Sequence, residues 1–159
     1  MFNLPYLLTA IFLISIISLA SFAQPGFDAT VSKSGEGQYK TVYEAIMAAP
    51  QDVPSASHPW RIHVRPGTYR ELIYVQQERH DIHLIGDDSL TTIITMDLHA
   101  NLPGPDGKAI GTFRTPTAQI DGNGFSAENI TFENLAGPVG QAVALRVDAS
   151  QASFRNCRF

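Results

Sequence analysis

Asn129-Ile-Thr-Phe132 recurs 27 residues on as Asn156-Cys-Arg-Phe159, and this repeat restricts the fold more than any other feature of the chain. Asp81-Ile-His-Leu84 reads as a looser copy, about two periods before the first. A period of roughly 24–27 residues, built from short strands and irregular turns, is what the stacked coils of a β-solenoid give. Asn and Asp at matching positions can then form side-chain ladders, as identical residues do in cross-β stacks. The strand pattern agrees. After Trp60, short runs at 61–65, 72–75, 82–85, 92–96, 117–120, 126–132, 142–147 and 153–159 are separated by Gly, Asp, Asn and Pro. Ile62/Val64, Leu72/Tyr74, Ile82/Leu84 and Ile130/Phe132 place apolar residues on one face at period two. Pro66-Gly-Thr-Tyr69 reads as a turn. No helical pattern lies between the strands, which argues against a doubly wound α/β sheet. An antiparallel sandwich fits the same strand lengths, and the repeat favours the parallel solenoid.

One helix is legible, over 42–49. Thr41-Val-Tyr-Glu44 is a capping box, Val42, Ala45, Ile46 and Ala49 follow at helical spacing, and Pro50 stops the run. A solenoid's first coil exposes an apolar cross-section and a sheet edge, and an amphipathic helix can cover both. The expected organisation is therefore an N-terminal capping segment over 24–59 and the first coils of a β-helix domain over 60–159. At Phe159 the sequence is inside a strand, with no polar cap or terminating turn, so the solenoid is expected to be incomplete there.

Ahead of these elements, 1–23 carries no charged side chain, and 7–20 is an apolar run of 14 residues. A membrane span needs about 20, so the run matches the core of a signal peptide. Ser21-Phe22-Ala23 supplies small residues for cleavage before Gln24, leaving a mature chain of 136 residues. The n-region has no Lys or Arg, and an uncleaved anchor is the alternative. Secretion is the expectation, into the extracellular space or, for a bacterial source, to the periplasm or outer surface. No membrane association is expected after cleavage.

Composition narrows the function. With 11 Lys+Arg against 15 Asp+Glu the net charge is −4, which argues against a nucleic-acid partner. Cys157 is the single cysteine, so an intramolecular disulfide scaffold is excluded. The candidate chemistry is sparse. Gly35-Glu-Gly37 with Lys40 lacks the preceding strand of a phosphate loop, and His80 and His83 have no clustered third metal ligand. A Gly-x-Ser-x-Gly elbow is absent. Asp121, Glu128, Glu133 and Asp148 could furnish a carboxylate pair for glycoside hydrolysis, although acidic turn residues usually face solvent. Asn129-Ile-Thr131 is a glycosylation sequon made inaccessible if Asn129 stacks inward. Gln141 opens a strand after the turn 136–140, where its amide could donate to a developing oxyanion. Thr117 stands at the start of another strand, on the neighbouring coil. Either residue could equally satisfy local backbone groups.

Six blocks together carry a resemblance. Gly37-Gln-Tyr-Lys-Thr-Val-Tyr-Glu-Ala-Ile46, His63-Val-Arg-Pro-Gly-Thr-Tyr-Arg-Glu71, Leu84-Ile-Gly-Asp87, Thr91-Thr-Ile-Ile94, Asn129-Ile-Thr-Phe-Glu-Asn134 and Gln141-Ala-Val-Ala-Leu-Arg146 resemble, in order and spacing, the pectinesterase (pectin methylesterase) family. The resemblance implies an all-β fold, a right-handed parallel β-helix of the pectin-lyase-like kind with an N-terminal capping helix. It also implies hydrolysis of the methyl esters of polygalacturonate to pectate and methanol, with no metal or organic cofactor. In that family a carboxylate attacks the ester, a second Asp serves as acid and then base, and Gln side chains stabilise the oxyanion. By resemblance Gln141 is an active-site Gln that contacts substrate and oxyanion, and Thr117 is a substrate-contacting Thr. The blocks holding the acid and the nucleophile, Gly-Tyr-Gln-Asp-Thr-Leu and Asp-Phe-Ile-Phe-Gly, do not occur in the 159 residues. The expectation is thus a monomeric, secreted pectinesterase portion that is inactive by itself. A non-catalytic pectin-binding β-helix module is the alternative. A polysaccharide lyase is weaker, because no calcium-binding carboxylate cluster is visible.

Overall fold

The computed structural model describes residues 26–51 and 54–159; the signal-peptide expectation for 1–23 falls outside the described residues. Eleven short strands among these residues form three sheets, and every strand pair in them is parallel. The chain passes through the sheets in rotation. β2 (Trp60–Val64), β3 (Gly67–Arg70) and β4 (Ile73–Val75) make one coil. β5 (Ile82–Gly86), β6 (Thr92–Met96) and β7 (Ala118–Ile120) make the next, followed by β8 (Ser126–Glu128), β9 (Thr131–Asn134) and β10 (Leu145–Val147). β1 (Ala29–Val31) and β11 (Ser153–Arg155) flank these in the first sheet, whose order is β1-β2-β5-β8-β11. The other sheets run β3-β6-β9 and β4-β7-β10. This is a parallel β-helix.

The core is a set of ladders. Ala29, Ile62, Leu84 and Ala127 are successive partners in the first sheet, all at most 1% exposed. Each buried Ile, Leu or Phe contributes on the order of 1.5–3 kcal/mol by leaving water. The steps between coils differ: Ile62 pairs with Leu84 and Phe154 with Ala127, but Leu84 pairs with Ala127 across a detour between β6 and β7. Within that detour Pro103 and Ala109 form an antiparallel bridge.

The turn that follows the first sheet explains the repeat. Gly86, Asn129 and Asn156 are equivalent there, Asn129 and Asn156 have φ of 56° and 51°, and their side chains are linked at 3.2 Å. Asn tolerates this left-handed conformation, which is costly for most residues. Asp81 belongs elsewhere. It lies in register with Gly124 and Gln151, in the turn before the sheet, so its likeness to Asn129 comes from a shared need for positive φ.

Several strand readings shift. The run 126–132 is two strands broken at Asn129, and 67–70 is strand β3 rather than a turn. In β4 it is Ile73 and Val75 that face inward, while Leu72 and Tyr74 are 47% and 41% exposed. Leu-Ile-Tyr-Val is apolar on both faces, so period two could not choose, and a one-residue slip exchanges the faces. The strands expected over 142–147 and 153–159 shrink to β10 and β11, with a further bridge between Thr131 and Arg158.

The helix α1 (Val42–Met47) ends two residues before the expected boundary. A six-residue helix is unstable alone, and this one is held from outside. Val42, Ala45 and Ile46 are fully buried in the same core as the strands. Thr41 Oγ1 accepts from Glu44 N at 3.2 Å, while the Glu71 carboxylate accepts from Val42 N and Tyr43 N at 3.0 and 2.9 Å. At the other end the buried Arg79 donates from Nη1 to Ala49 O at 2.5 Å and to Ile46 O at 3.4 Å. Charges of the favourable sign therefore stand at both helix termini.

Candidate active site

The outer face of the β4-β7-β10 sheet gathers the functional candidates. With Ile73, Val75, Ala118 and Ile120 buried, Tyr74, Gln119 and Arg146 project outward, in register across the three strands. Gln141 enters this surface just before β10. Its carbonyl accepts from Ala100 N at 2.8 Å, and Asn101 Nδ2 holds Val139 O at 2.8 Å, so the detour clamps the turn that carries it. The Asn134 amide nitrogen lies 2.9, 3.1 and 3.3 Å from the carbonyls of Leu98, Thr115 and Val143, which ties the base of the detour to the strand on either side.

Within the detour, Thr112–Arg114 forms a 3-10 turn. Thr112 Oγ1 donates to Gln141 Oε1 at 2.5 Å. This bond occupies Oε1, while Nε2 has no protein acceptor among the described residues and is available as a donor. Phe113 is 78% exposed, with the Arg146 guanidinium 5.4 Å from its ring centroid and Arg146 Nη2 2.5 Å from Asp148 Oδ2. The arrangement offers an aimed amide donor beside an exposed aromatic ring.

Thr117 does not sit where the resemblance led us to expect it. It is on the coil next to Gln141, but it is fully buried and its hydroxyl donates to Glu133 O at 2.8 Å. The threonine that meets Gln141 is Thr112, which the sequence reading passed over. Its signal was available: Thr112 and Thr117 both precede a strand in the segment Thr112-Phe-Arg-Thr-Pro-Thr117, and only contact geometry separates them.

Three of the acidic candidates for glycoside hydrolysis are dispersed and occupied, and the fourth, Glu133, lies on β9 in a different sheet from Gln119 and Arg146. Asp121 accepts from Tyr74 Oη at 2.9 Å and Gln119 Nε2 at 3.1 Å, Asp148 holds Arg146, and Glu128 projects from the first sheet. There Glu128 is paired with Arg155, which lowers its pKa, and stands 3.2 Å from His83. Burial pushes the His83 pKa down in spite of that carboxylate. His80 instead pairs with Asp81 at 2.8 Å. Among the described residues no group of three His, Cys, Asp or Glu is placed to hold a metal ion.

Comparison with known proteins gives the context of this surface. The family model for pectinesterase matches residues 28–159. The chain belongs to the pectinesterase family. It is 41% identical over 129 residues to pectinesterase/pectinesterase inhibitor 18 of Arabidopsis thaliana, covering 80% of this chain and 22% of that protein. Pectin methylesterase from carrot superposes with a TM-score of 0.74 at 38% identity, over 85% of this chain and 40% of the carrot chain. A pectin methylesterase solved in complex with a hexasaccharide gives the same TM-score at 28% identity, over 82% of this chain and 42% of its own. The chain thus spans about a fifth of the length of the curated pectinesterase it matches and two fifths of the solved ones.

Proposed function

We propose that these residues form the N-terminal coils of a pectin methylesterase that converts methyl-esterified polygalacturonate to pectate and methanol. One observation carries the reading: the Thr112–Gln141 bond leaves the Gln141 amide N–H free at a solvent-open surface. As a nucleophile adds to the ester carbonyl, its oxygen becomes an oxyanion, and a preoriented amide N–H stabilises that charge more than it does the neutral ester. Phe113 supplies an exposed aromatic face for the polymer, and Thr112 takes the contact position first assigned to Thr117.

The 159 residues contain neither block that would bring the nucleophilic and acid/base Asp. Asp121 and Asp148 are each engaged elsewhere. The chain by itself therefore binds pectin without releasing methanol, since loss of the reacting carboxylate costs several orders of magnitude in rate. It acts as a monomer without a cofactor. Export is directed by 1–23, and N-terminal sequencing of the secreted protein should begin at Gln24. Among the described residues no helix is long and apolar enough to cross a membrane.

The test is a graft: residues 26–159 replace the matching segment of the carrot enzyme, and methanol release from esterified pectin is measured. The reading expects the graft to release methanol and the chain alone to release none. A folded graft that binds pectin but releases no methanol contradicts it.

A further inference from the structure

Beside the Gln141 surface, toward the helix-capped end of the β-helix, lies a polar group that the ester chemistry does not use. Tyr74 on β4 and Gln119 on β7 are directly paired in register, and both reach the same carboxylate. Tyr74 Oη donates to Asp121 Oδ2 at 2.9 Å, and Gln119 Nε2 lies 3.1 and 3.2 Å from the two Asp121 oxygens. Tyr74 is 41% exposed, so its side chain is partly open to solvent. Neighbouring strands are about 4.8 Å apart, which puts Tyr74 two strand spacings, roughly 10 Å, from Arg146 along the sheet. The group therefore continues the Phe113–Gln141 surface by a length suited to one or two sugar units.

Its charge is one-sided. Asp121 is bound by two neutral donors, with no cation among its side-chain partners. Both Asp121 and Glu78 act on the Tyr74 phenol and raise its pKa. The nearest cation in this sheet, Arg146, is neutralised by Asp148. A free galacturonate carboxylate brought here meets like charge, whereas its methyl ester does not.

We propose that Tyr74, Gln119 and Asp121 form a subsite for a methyl-esterified galacturonate unit, with Asp121 as the residue that disfavours a free carboxylate. The proposal rests on the pectin reading above. The Tyr74 ring supplies an apolar face for the sugar, Gln119 and the phenol supply hydrogen-bonding groups, and Asp121 sets the preference by repulsion, a device of specificity rather than of affinity.

Affinity electrophoresis of the 159-residue chain in gels cast with highly esterified pectin or with fully de-esterified polygalacturonate tests this. Asp121→Asn keeps the shape and the Tyr74 contact and removes the charge. It should strengthen binding to polygalacturonate relative to esterified pectin about three- to tenfold at low salt, and lose this effect as salt is raised. A purely structural role for Asp121 would move both polymers together and would not depend on salt. Tyr74→Ala should weaken binding to both polymers. Binding with an unaltered ratio in Asp121→Asn overturns the subsite and leaves the pectin reading standing. A folded chain that is retarded by neither polymer overturns both.

Discussion

Replacing Arg79 with Met isolates what holds the cap on the first coil. Arg79 is 8% exposed, and its Nη1 lies 2.5 Å from Ala49 O and 3.4 Å from Ile46 O. Ile46 O also accepts from Ala49 N, so it keeps a partner when the guanidinium goes. Ala49 O is left with none among the backbone bonds described. Met fills comparable apolar volume, so the change is mainly electrostatic. A hydrogen bond to a charged group is worth about 1.5–3 kcal/mol and a cation at a helix C-terminus about 0.3–1 kcal/mol. Relief of the buried guanidinium's desolvation offsets part of this, leaving a net loss of about 2 kcal/mol. For a chain of this size that lowers Tm by about 4–8 °C. Urea denaturation followed by far-UV circular dichroism should show the midpoint fall with an unchanged slope. A shift below about 0.5 kcal/mol would mean that the apolar face of α1 alone secures the helix, and would refute the account of its two charged ends.

Other expectations are separate in place and kind. Gly86→Ala would set a Cβ 2.4 Å from Asn129 O, so the first-sheet corner must open; a loss of about 3 kcal/mol or more in the same denaturation assay is expected, and a near-neutral variant would deny that the corner is tightly packed. His83 titrates below its ordinary value because it is buried, so the fold favours the neutral ring. Its contribution is present above about pH 6.5 and is lost as the pH falls from there toward the depressed folded value, and His83→Gln should flatten the urea midpoint between pH 7 and 5. An equally steep pH dependence in the variant would assign the slope to other groups. Asn129 is committed to Gly86 O and Asn156, so intact-mass measurement of protein secreted from a eukaryotic host should show the sequon unoccupied; glycan at Asn129 in folded protein would contradict the ladder.

The solenoid was legible because stacking makes coils repeat, and the Asn129/Asn156 pair displays that repeat directly. What the period could not fix was the phase. Asp81 matched Asn129 by residue type while serving the opposite corner, since both corners demand positive φ. Leu72-Ile-Tyr-Val75 offered two apolar faces, and only the neighbouring strands decide which is buried. The capping box predicted the start of α1, but the Glu71 and Arg79 contacts come from residues about 30 positions away and leave no local trace. The candidate site divides in the same way. Gln141 stands out as a polar residue at the mouth of a strand. Thr112 becomes significant only because the detour between β6 and β7 folds back against the 136–141 turn. Gln119 and Asp121 are close in sequence, but Tyr74 lies 47 positions before Asp121 and joins them only through strand register.

The central claim is that Gln141 is the oxyanion donor of a pectin methylesterase surface. Its most direct measurement is the steady-state rate of methanol release by the carrot graft with Gln141 intact and with Gln141→Ala. The account predicts that kcat falls by about 10²-fold or more with little change in KM, as loss of a donor acting mainly in the transition state does. An unchanged kcat in the folded variant would return Gln141 to a purely structural role.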